Sequence, residues 1–90
     1  MDEIYLNGKF VSRSSAQISI MDRGFLFGDG VYELIPVYNK KIFLLHKHLN
    51  RLKNSLSQIG MSDISGLEDI IKQLISRNSS KNFFIYLHVT

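Results

Sequence analysis

The sequence contains three groups of residues that could take part in binding or catalysis, and the first centres on Arg51. This arginine lies in the string His48-Leu49-Asn50-Arg51-Leu52. On an α-helix Arg51 lies beside His48, at the border of the apolar stripe, so its side chain can turn toward a cavity. A guanidinium there can donate two N–H groups to a phosphate. Arg51 is therefore a candidate anion ligand, although a solvated surface arginine fits the same spacing.

The second group is the pair Tyr32 and Glu33, at the head of a β-prone run. Side chains alternate across a strand, so Glu33 shares a face with the apolar Ile35 and Val37, and Tyr32 lies on the other face. An unpaired buried carboxylate is costly, so Glu33 needs a partner, a wet cavity or a strand end that reaches water. The Tyr32 hydroxyl can donate to a ligand carboxylate, or the residue can be an amphipathic part of the core.

The third group is the glycine-rich segment from Asp22 to Gly30. Its glycines lack the spacing of a dinucleotide fingerprint, and no lysine completes a Walker loop, which excludes a nucleotide cradle. The segment is either a turn in which Asp22 pairs with Arg23 or caps nearby amides, or a loop that shapes a pocket wall. A metal site is not expected, because His46 and His48 are two residues apart instead of four and the chain has no cysteine.

Two hairpins are predicted to position these groups. Asn7-Gly8 stands between two β-prone runs, and a two-residue turn of this type needs positive φ at both positions. A second hairpin joins residues 31–37 to residues 41–44 through a turn at Asn39-Lys40. Pro36 cannot donate a ladder hydrogen bond, which predicts an edge strand or a bulge there. Residues 12–20 are predicted to be a loop or short irregular strand, and residues 21–30 a folded, partly buried loop.

Two amphipathic helices follow. Apolar residues at three-and-four spacing predict a helix over residues 45–59 that ends at Gly60, and its stripe is Leu45, Leu49, Leu52, Leu56 and Ile59. Ser65 and Glu68 have the spacing of a capping box. They precede a second apolar stripe, formed by Leu67, Ile70, Ile71, Leu74 and Ile75.

The last segment, residues 82–90, is apolar or aromatic on both alternating faces, which is typical of a strand covered on two sides. Since the sequence stops inside this strand, we expect it to be cut from something longer. The order of elements predicts an α+β fold in which two helices pack on a mainly antiparallel sheet. Residues 1–90 are expected to form one domain.

Composition narrows the partners and the compartment. The net charge is +3, and the eleven Lys and Arg residues are scattered, so a nucleic-acid partner is not favoured. No apolar run approaches the ~20 residues of a membrane span, and the acidic start Met1-Asp2-Glu3 does not fit a signal peptide. The absence of cysteine is compatible with a reducing compartment. The expectation is a cytoplasmic protein without membrane or nucleic-acid partners.

The three groups, in this order and spacing, resemble the class IV aminotransferases, which have fold type IV. The resemblance covers essentially the whole chain and rests on four strings: Tyr5-Leu6-Asn7-Gly8, Asp22-Arg23-Gly24-Phe25, Phe27-Gly28-Asp29-Gly30-Val31-Tyr32-Glu33 and His48-Leu49-Asn50-Arg51-Leu52. It implies a homodimeric enzyme that uses pyridoxal 5'-phosphate and has its active site between a smaller N-terminal and a larger C-terminal domain. Its substrates are an amino acid and a 2-oxo acid.

The resemblance also implies roles for individual residues. Arg51 matches the arginine that grips the cofactor phosphate, so it is the predicted cofactor-binding residue. Tyr32 matches the aromatic hydroxyl that helps bind the substrate carboxylate in D-amino-acid transaminases, and Glu33 is expected to order hydrogen bonds behind it. Tyr32 and Glu33 are thus the predicted substrate-binding residues. We expect Arg51 and Tyr32 to converge on a shared anionic ligand.

No catalytic residue is expected in this chain. The family's catalytic lysine and the acid that protonates the cofactor ring belong to the C-terminal domain, and none of the seven lysines present matches that role. The chain alone is therefore expected to be inactive. Tyr32 in Gly-Val-Tyr-Glu and the compact turn after it favour a D-amino-acid transaminase. The alternatives are a branched-chain aminotransferase, an aminodeoxychorismate lyase and, from another class, a stand-alone non-catalytic binding module.

Overall fold

The computed structural model describes residues 3–90 and has the predicted α+β layout, with two antiparallel sheets and three helices. In chain order the elements are β1 (Glu3–Leu6), β2 (Lys9–Ser12), a 3-10 turn (Arg13–Ser15), α1 (Arg23–Leu26), β3 (Val31–Tyr38), β4 (Lys41–Ile42), α2 (Leu45–Gln58), α3 (Leu67–Arg77) and β5 (Phe83–Val89). One sheet is the pair β1-β2, and the other has the strand order β4-β3-β5.

Both predicted hairpins form, each through a two-residue turn. The turn residues have positive φ in both cases, 49° and 89° at Asn7 and Gly8, and 52° and 64° at Asn39 and Lys40. A lysine is unusual in that conformation, because its Cβ is crowded there. The side chain of Lys40 gains a compensating contact, since its ammonium donates to the carbonyl oxygens of Ile75, at 2.9 Å, and of Asn78, both at the end of α3.

The prediction that Pro36 marks an edge strand is wrong for β3 as a whole, because β3 is the central strand of its sheet. The proline is tolerated for a local reason. Its carbonyl accepts a hydrogen bond from the Phe43 amide at 2.9 Å, so its backbone faces the side of β4. Strand β4 consists only of Lys41–Ile42 and ends before the position opposite Pro36. The N–H that proline lacks is therefore not needed for a hydrogen bond between β3 and β4.

The core lies between the three-stranded sheet and the two long helices. Alternate residues of β3 and β5 point toward the helices. The leucine and isoleucine stripes of α2 and α3, which the sequence predicted, face these residues. The buried members are Ile35, Val37, Ile85, Leu52, Leu56, Ile71 and Ile75. Helix α2 ends as predicted: Gly60 has φ 76°, and the Met61 amide donates back to the Leu56 carbonyl at 2.9 Å.

The predicted capping box at the start of α3 does not form. The N-cap is Gly66, in the left-handed conformation at φ 77°, and no side chain caps the helix there. Glu68 instead accepts a hydrogen bond from Lys72 at 3.0 Å, one turn further along. Glu68 and Asp69 still lie in the first turn of α3, where a negative charge is stabilised by the positive end of the helix dipole.

Two surfaces are more open than the sequence predicted. The described residues cover only one face of β5, and Phe84 and Tyr86 on the other face are exposed. In the segment of residues 21–30, Phe25 and Phe27 are exposed, although that segment was predicted to be partly buried. The half-buried positions there are Asp22 and two of the glycines.

Candidate functional site

A buried carboxylate, Glu33, is the centre of the candidate site. Its side chain is only 3% exposed, and it points from β3 toward α2. Arg51 donates to it twice, from Nε to Oε2 at 2.7 Å and from Nη2 to Oε1 at 2.8 Å. His48 Nδ1 lies 2.8 Å from the same Oε1. The sequence left three possibilities for Glu33: a charged partner, a wet cavity or a strand end that reaches water. The structure shows the first of them, with Arg51 and His48 as the partners.

Local geometry brings these three side chains together. Glu33 shares a face of β3 with Ile35 and Val37, and that face is the one covered by the helices. His48 and Arg51 are three residues apart on α2, so they lie on the same side of the helix, one turn apart. The apolar contacts that seat α2 on β3 therefore also place the guanidinium and the imidazole over the carboxylate.

The electrostatic effects within this group oppose one another. The hydrogen bonds from Arg51 hold the pKa of the Glu33 carboxyl below its usual range, burial acts in the opposite direction, and His48 lowers the pKa further. The hydrogen bond with Glu33 in turn raises the pKa of Arg51, helped by the negative charge of Glu33. Glu33 and Arg51 are thus both held in their charged forms at neutral pH.

Arg51 remains accessible although it is paired. Its side chain is 67% exposed, and within residues 3–90 its Nη1 has no hydrogen-bond partner. The bidentate contact with Glu33 fixes the orientation of the guanidinium plane while its outer edge faces solvent. A fixed, exposed guanidinium edge is suited to bind an oxyanion such as a phosphate. The donor set thus fits the cofactor phosphate that the sequence resemblance implies.

Tyr32 lies on the opposite face of β3 from Glu33. Its side chain is 64% exposed, and its ring stacks on Tyr86 of β5 with centroids 5.9 Å apart and planes at 24°. Tyr86 in turn meets His88 edge-on at 5.7 Å. Tyr32 makes only a minor contribution to the raised pKa of Arg51. The convergence of Tyr32 and Arg51 on one ligand stays a prediction.

The glycine-rich segment is held by internal contacts and by the end of β5. Asp22 caps the Gly24 amide at 2.8 Å and accepts a hydrogen bond from the Thr90 hydroxyl at 3.0 Å. Arg23 pairs with Asp29, at 2.8 Å from Nε to Oδ2, and not with Asp22. A Cβ on Gly30 would lie 2.9 Å from the Val89 carbonyl oxygen, so only glycine allows this approach. The segment also forms part of the wall of a groove, as the second interpretation of the sequence held.

Sequence reasoning missed the role of His48 as a second partner of Glu33. The signal was present, because His48 and Arg51 have the three-residue spacing of helix neighbours, but nothing local indicates which carboxylate they face. Tyr86 and His88 were likewise treated only as strand residues. Within residues 3–90 no group of three or more potential metal ligands is present. None of the helices described is long and apolar enough to cross a membrane.

Comparison with known proteins points to one family. The family model for class IV aminotransferases matches residues 30–90. A D-alanine aminotransferase from Staphylococcus aureus (strain MSSA476) is 41% identical over 100% of this chain, and one from Bacillus licheniformis is 39% identical over 98%. The chain spans about a third of the length of these curated relatives, 33% and 32% respectively.

Solved structures agree with the fold. A fold IV transaminase from Curtobacterium pusillum matches with a TM-score of 0.82 and 26% identity, over 91% of this chain and 31% of its own. A branched-chain aminotransferase from Thermoproteus uzoniensis, solved with norvaline, matches with a TM-score of 0.81 and 23% identity. The match covers 94% of this chain and 31% of that protein. At that identity the second likeness shows the fold alone.

The buried ion pair predicts how stability depends on pH. Because the pKa of Glu33 is lowered in the folded state from its ordinary value of 4.5, its contribution is complete above that value and is lost as the pH falls through the folded-state pKa. We therefore expect Glu33→Gln to lower the free energy of unfolding most near pH 7, with a difference from the unmodified chain that shrinks below pH 4.5. Urea unfolding between pH 7 and pH 3 measures this difference.

Glu68→Gln is the matched control for this experiment. The pKa of Glu68 is also lowered, by its hydrogen bond with Lys72, but the pair is on the surface. Exposed pairs of this kind contribute little, so we expect a clearly smaller pH-dependent loss. A Glu33→Gln effect that is constant over the whole pH range would show that folding does not lower the pKa of this carboxyl.

Proposed function

This chain belongs to the class IV aminotransferase family, and on that premise we propose that it forms the N-terminal lobe of a pyridoxal-phosphate-dependent transaminase. The proposed reaction moves an amino group between a D-amino acid, such as D-alanine, and a 2-oxo acid. The observation that carries the proposal is the clamped but exposed guanidinium of Arg51, in a chain whose curated relatives are named D-alanine aminotransferases.

Arg51 is the residue proposed to hold the cofactor. Its outer edge would donate N–H groups to the phosphate, and the charge-assisted contact would anchor that end of the cofactor. When bound, pyridoxal phosphate supplies the electron sink that allows a proton to leave the α-carbon of the amino acid. Glu33 keeps Arg51 oriented before the phosphate arrives, so little side-chain entropy remains to be lost on binding.

Tyr32 is proposed to bind the substrate carboxylate through its hydroxyl. The ring is held by stacking on Tyr86, while the residue remains exposed toward the side of the sheet away from the helices. We revise the role of Glu33, which the sequence placed among the substrate-binding residues. Its carboxylate is almost fully buried and is turned toward His48 and Arg51, so it is better described as a positioning residue that acts through Arg51.

The remaining parts of the reaction are assigned to residues outside this chain. Proton transfer at the α-carbon needs a lysine, and the cofactor ring needs an acidic partner. We propose that both belong to a C-terminal domain, within the length by which the curated relatives exceed this chain. We also propose that the full-length protein is a cytoplasmic homodimer that binds neither nucleic acid nor membranes.

An assay of the full-length protein tests the proposed reaction. D-Alanine and L-leucine are supplied side by side as amino donors, each with 2-oxoglutarate, and consumption of the oxo acid is followed. We expect D-alanine to be the preferred donor. Preference for L-leucine would instead assign a branched-chain aminotransferase. Absence of transamination with either donor would contradict the proposal and leave the aminodeoxychorismate lyase and the non-catalytic module as alternatives.

Two variants of the full-length protein separate the proposed roles. Arg51→Ala should weaken retention of pyridoxal phosphate during dialysis, because it removes the charged anchor. Tyr32→Phe should leave cofactor retention unchanged and mainly raise KM for the amino donor, on the order of 10-fold, as expected when one hydrogen bond to a charged group is lost. Unchanged cofactor affinity in Arg51→Ala would remove this residue from the site.

The 90-residue chain alone should not transaminate and should bind pyridoxal phosphate weakly, because Arg51 gives a single charged anchor. The test is to incubate the chain with pyridoxal phosphate, reduce with borohydride and map the modified residues by mass spectrometry. Sparse modification spread over several lysines is expected. A stoichiometric adduct at one lysine would show that this chain carries a cofactor-binding lysine of its own.

A further inference from the structure

His48 is the member of the candidate site to which the proposed function gives no role. Its side chain is only 14% exposed, and its Nδ1 lies 2.8 Å from Oε1 of Glu33. Because Arg51 and, to a smaller extent, His48 hold the pKa of Glu33 below its usual range, this carboxyl is ionised at neutral pH and can only accept hydrogen bonds. Nδ1 of His48 must therefore be the donor, whether the imidazole is neutral or charged.

The orientation of Arg51 depends on Glu33. The Arg51 side chain is long and largely exposed, and within residues 3–90 Glu33 is the only hydrogen-bond partner of its guanidinium. A long side chain on the surface samples many rotamers unless a contact selects one of them. The guanidinium can therefore be no better ordered than the carboxylate that holds it.

His48 provides the contact that orders this carboxylate. Oε1 of Glu33 accepts hydrogen bonds from His48 and from Nη2 of Arg51, whereas Oε2 accepts one from Nε of Arg51. The two bonds from Arg51 fix the carboxylate relative to the guanidinium, but they leave the pair free to move together. The imidazole is mostly buried and has only two rotatable bonds, so its donor ties the carboxylate to helix α2 itself.

This contact matters most when an anion shares Arg51. A phosphate on the outer edge of the guanidinium would attract it away from Glu33, because two anions would then compete for one cation. A buried carboxylate that loses part of its pairing is destabilising. The hydrogen bond from His48 would remain in place, so Glu33 would stay paired and binding of the phosphate would disturb the core less.

We infer that His48 is a positioning residue of the cofactor site: its Nδ1 fixes the Glu33 carboxylate, which holds the Arg51 guanidinium in the orientation that binds the cofactor phosphate. This inference rests on the proposed function, because it concerns the cofactor proposed there. His48 acts through two other side chains and not by contact with the phosphate. It is also separated from Tyr32, which lies on the opposite face of β3 from Glu33.

Two substitutions of similar shape test this role in the full-length protein. His48→Asn keeps an N–H donor, because the amide nitrogen of asparagine is as many bonds from the backbone as Nδ1 of histidine. His48→Leu has the same branching but no donor. The affinity for pyridoxal phosphate is measured by titration of the cofactor-free protein. We expect His48→Leu to weaken it on the order of 10-fold, and His48→Asn to stay within about 3-fold of the unmodified protein.

The same pair distinguishes positioning from a general effect on α2. Leucine favours a helix more than asparagine does, so an effect of helix stability alone would make His48→Leu the milder change. KM for D-alanine at saturating cofactor should stay unchanged in both variants, because Tyr32 lies on the other face of β3. His46→Leu is the matched control, because this exposed histidine of the same helix lies 3.8 Å from Glu68 and should leave the cofactor affinity unchanged.

NMR of the Arg51 side chain in the cofactor-free, full-length protein gives a measurement that does not depend on activity. A hydrogen-bonded N–H exchanges slowly with water, so the Nε–H of Arg51 should exchange slowly in the unmodified protein and in His48→Asn. In His48→Leu we expect exchange at least about 10-fold faster, because the carboxylate is no longer fixed.

Three outcomes overturn the inference while the proposed function stands, provided that the protein transaminates. They are unchanged cofactor affinity in His48→Leu, equally weak affinity in both His48 variants, and fast exchange of the Arg51 Nε–H in the unmodified protein. A full-length protein that shows the expected exchange pattern but neither binds pyridoxal phosphate nor transaminates would contradict the proposed function instead. It would still support the positioning of Arg51 by His48.

Discussion

The buried carboxylate of Glu33 is the constraint on which the candidate site depends. A charge in this position is destabilising unless it is paired, and the pairing comes entirely from one helix, through Arg51 and His48. The ion pairing of Glu33 therefore depends on the same packing of α2 on β3 that forms the core. A shift of the helix along the strand would separate a guanidinium and an imidazole from a carboxylate that is almost completely shielded from water.

The same contact bears on the proposed role of Arg51 as a ligand for a phosphate. Arginine loses considerable rotamer freedom when it binds an anion, and that cost reduces the affinity. Here the freedom is already lost in the folded lobe, because Glu33 holds two of the guanidinium nitrogens. The remaining edge is exposed, so a phosphate bound as proposed would meet a cation whose direction is already set by Glu33.

Side-chain contacts, and not a shared sheet, connect the β1-β2 hairpin to the three-stranded sheet and its helices. The three-stranded sheet and the β1-β2 hairpin are separate sheets, bridged by side chains such as Asn78 and by the ion pair between Arg77 and Glu3, whose atoms are 2.9 Å apart. Each half therefore has an open edge, and both edges border one groove. Part of the glycine-rich segment also lines this groove, and Gly24 and Gly30 allow the segment to come close to the end of β5.

The sequence by itself determined the elements whose signals are local. Leucine and isoleucine spacing predicted α2 and α3, and Asn7-Gly8 predicted a hairpin, because helix periodicity and positive φ depend on neighbouring residues only. The resemblance of the motifs indicated the family and identified Arg51, Tyr32 and Glu33 as candidate binding residues. Only the tertiary structure decided which partners Glu33 has, why Pro36 is tolerated in a central strand, and that Gly66 instead of Ser65 is the N-cap of α3. Each of these depends on residues distant in sequence or on backbone competition at a turn, and no local pattern encodes which distant strand or side chain will be adjacent.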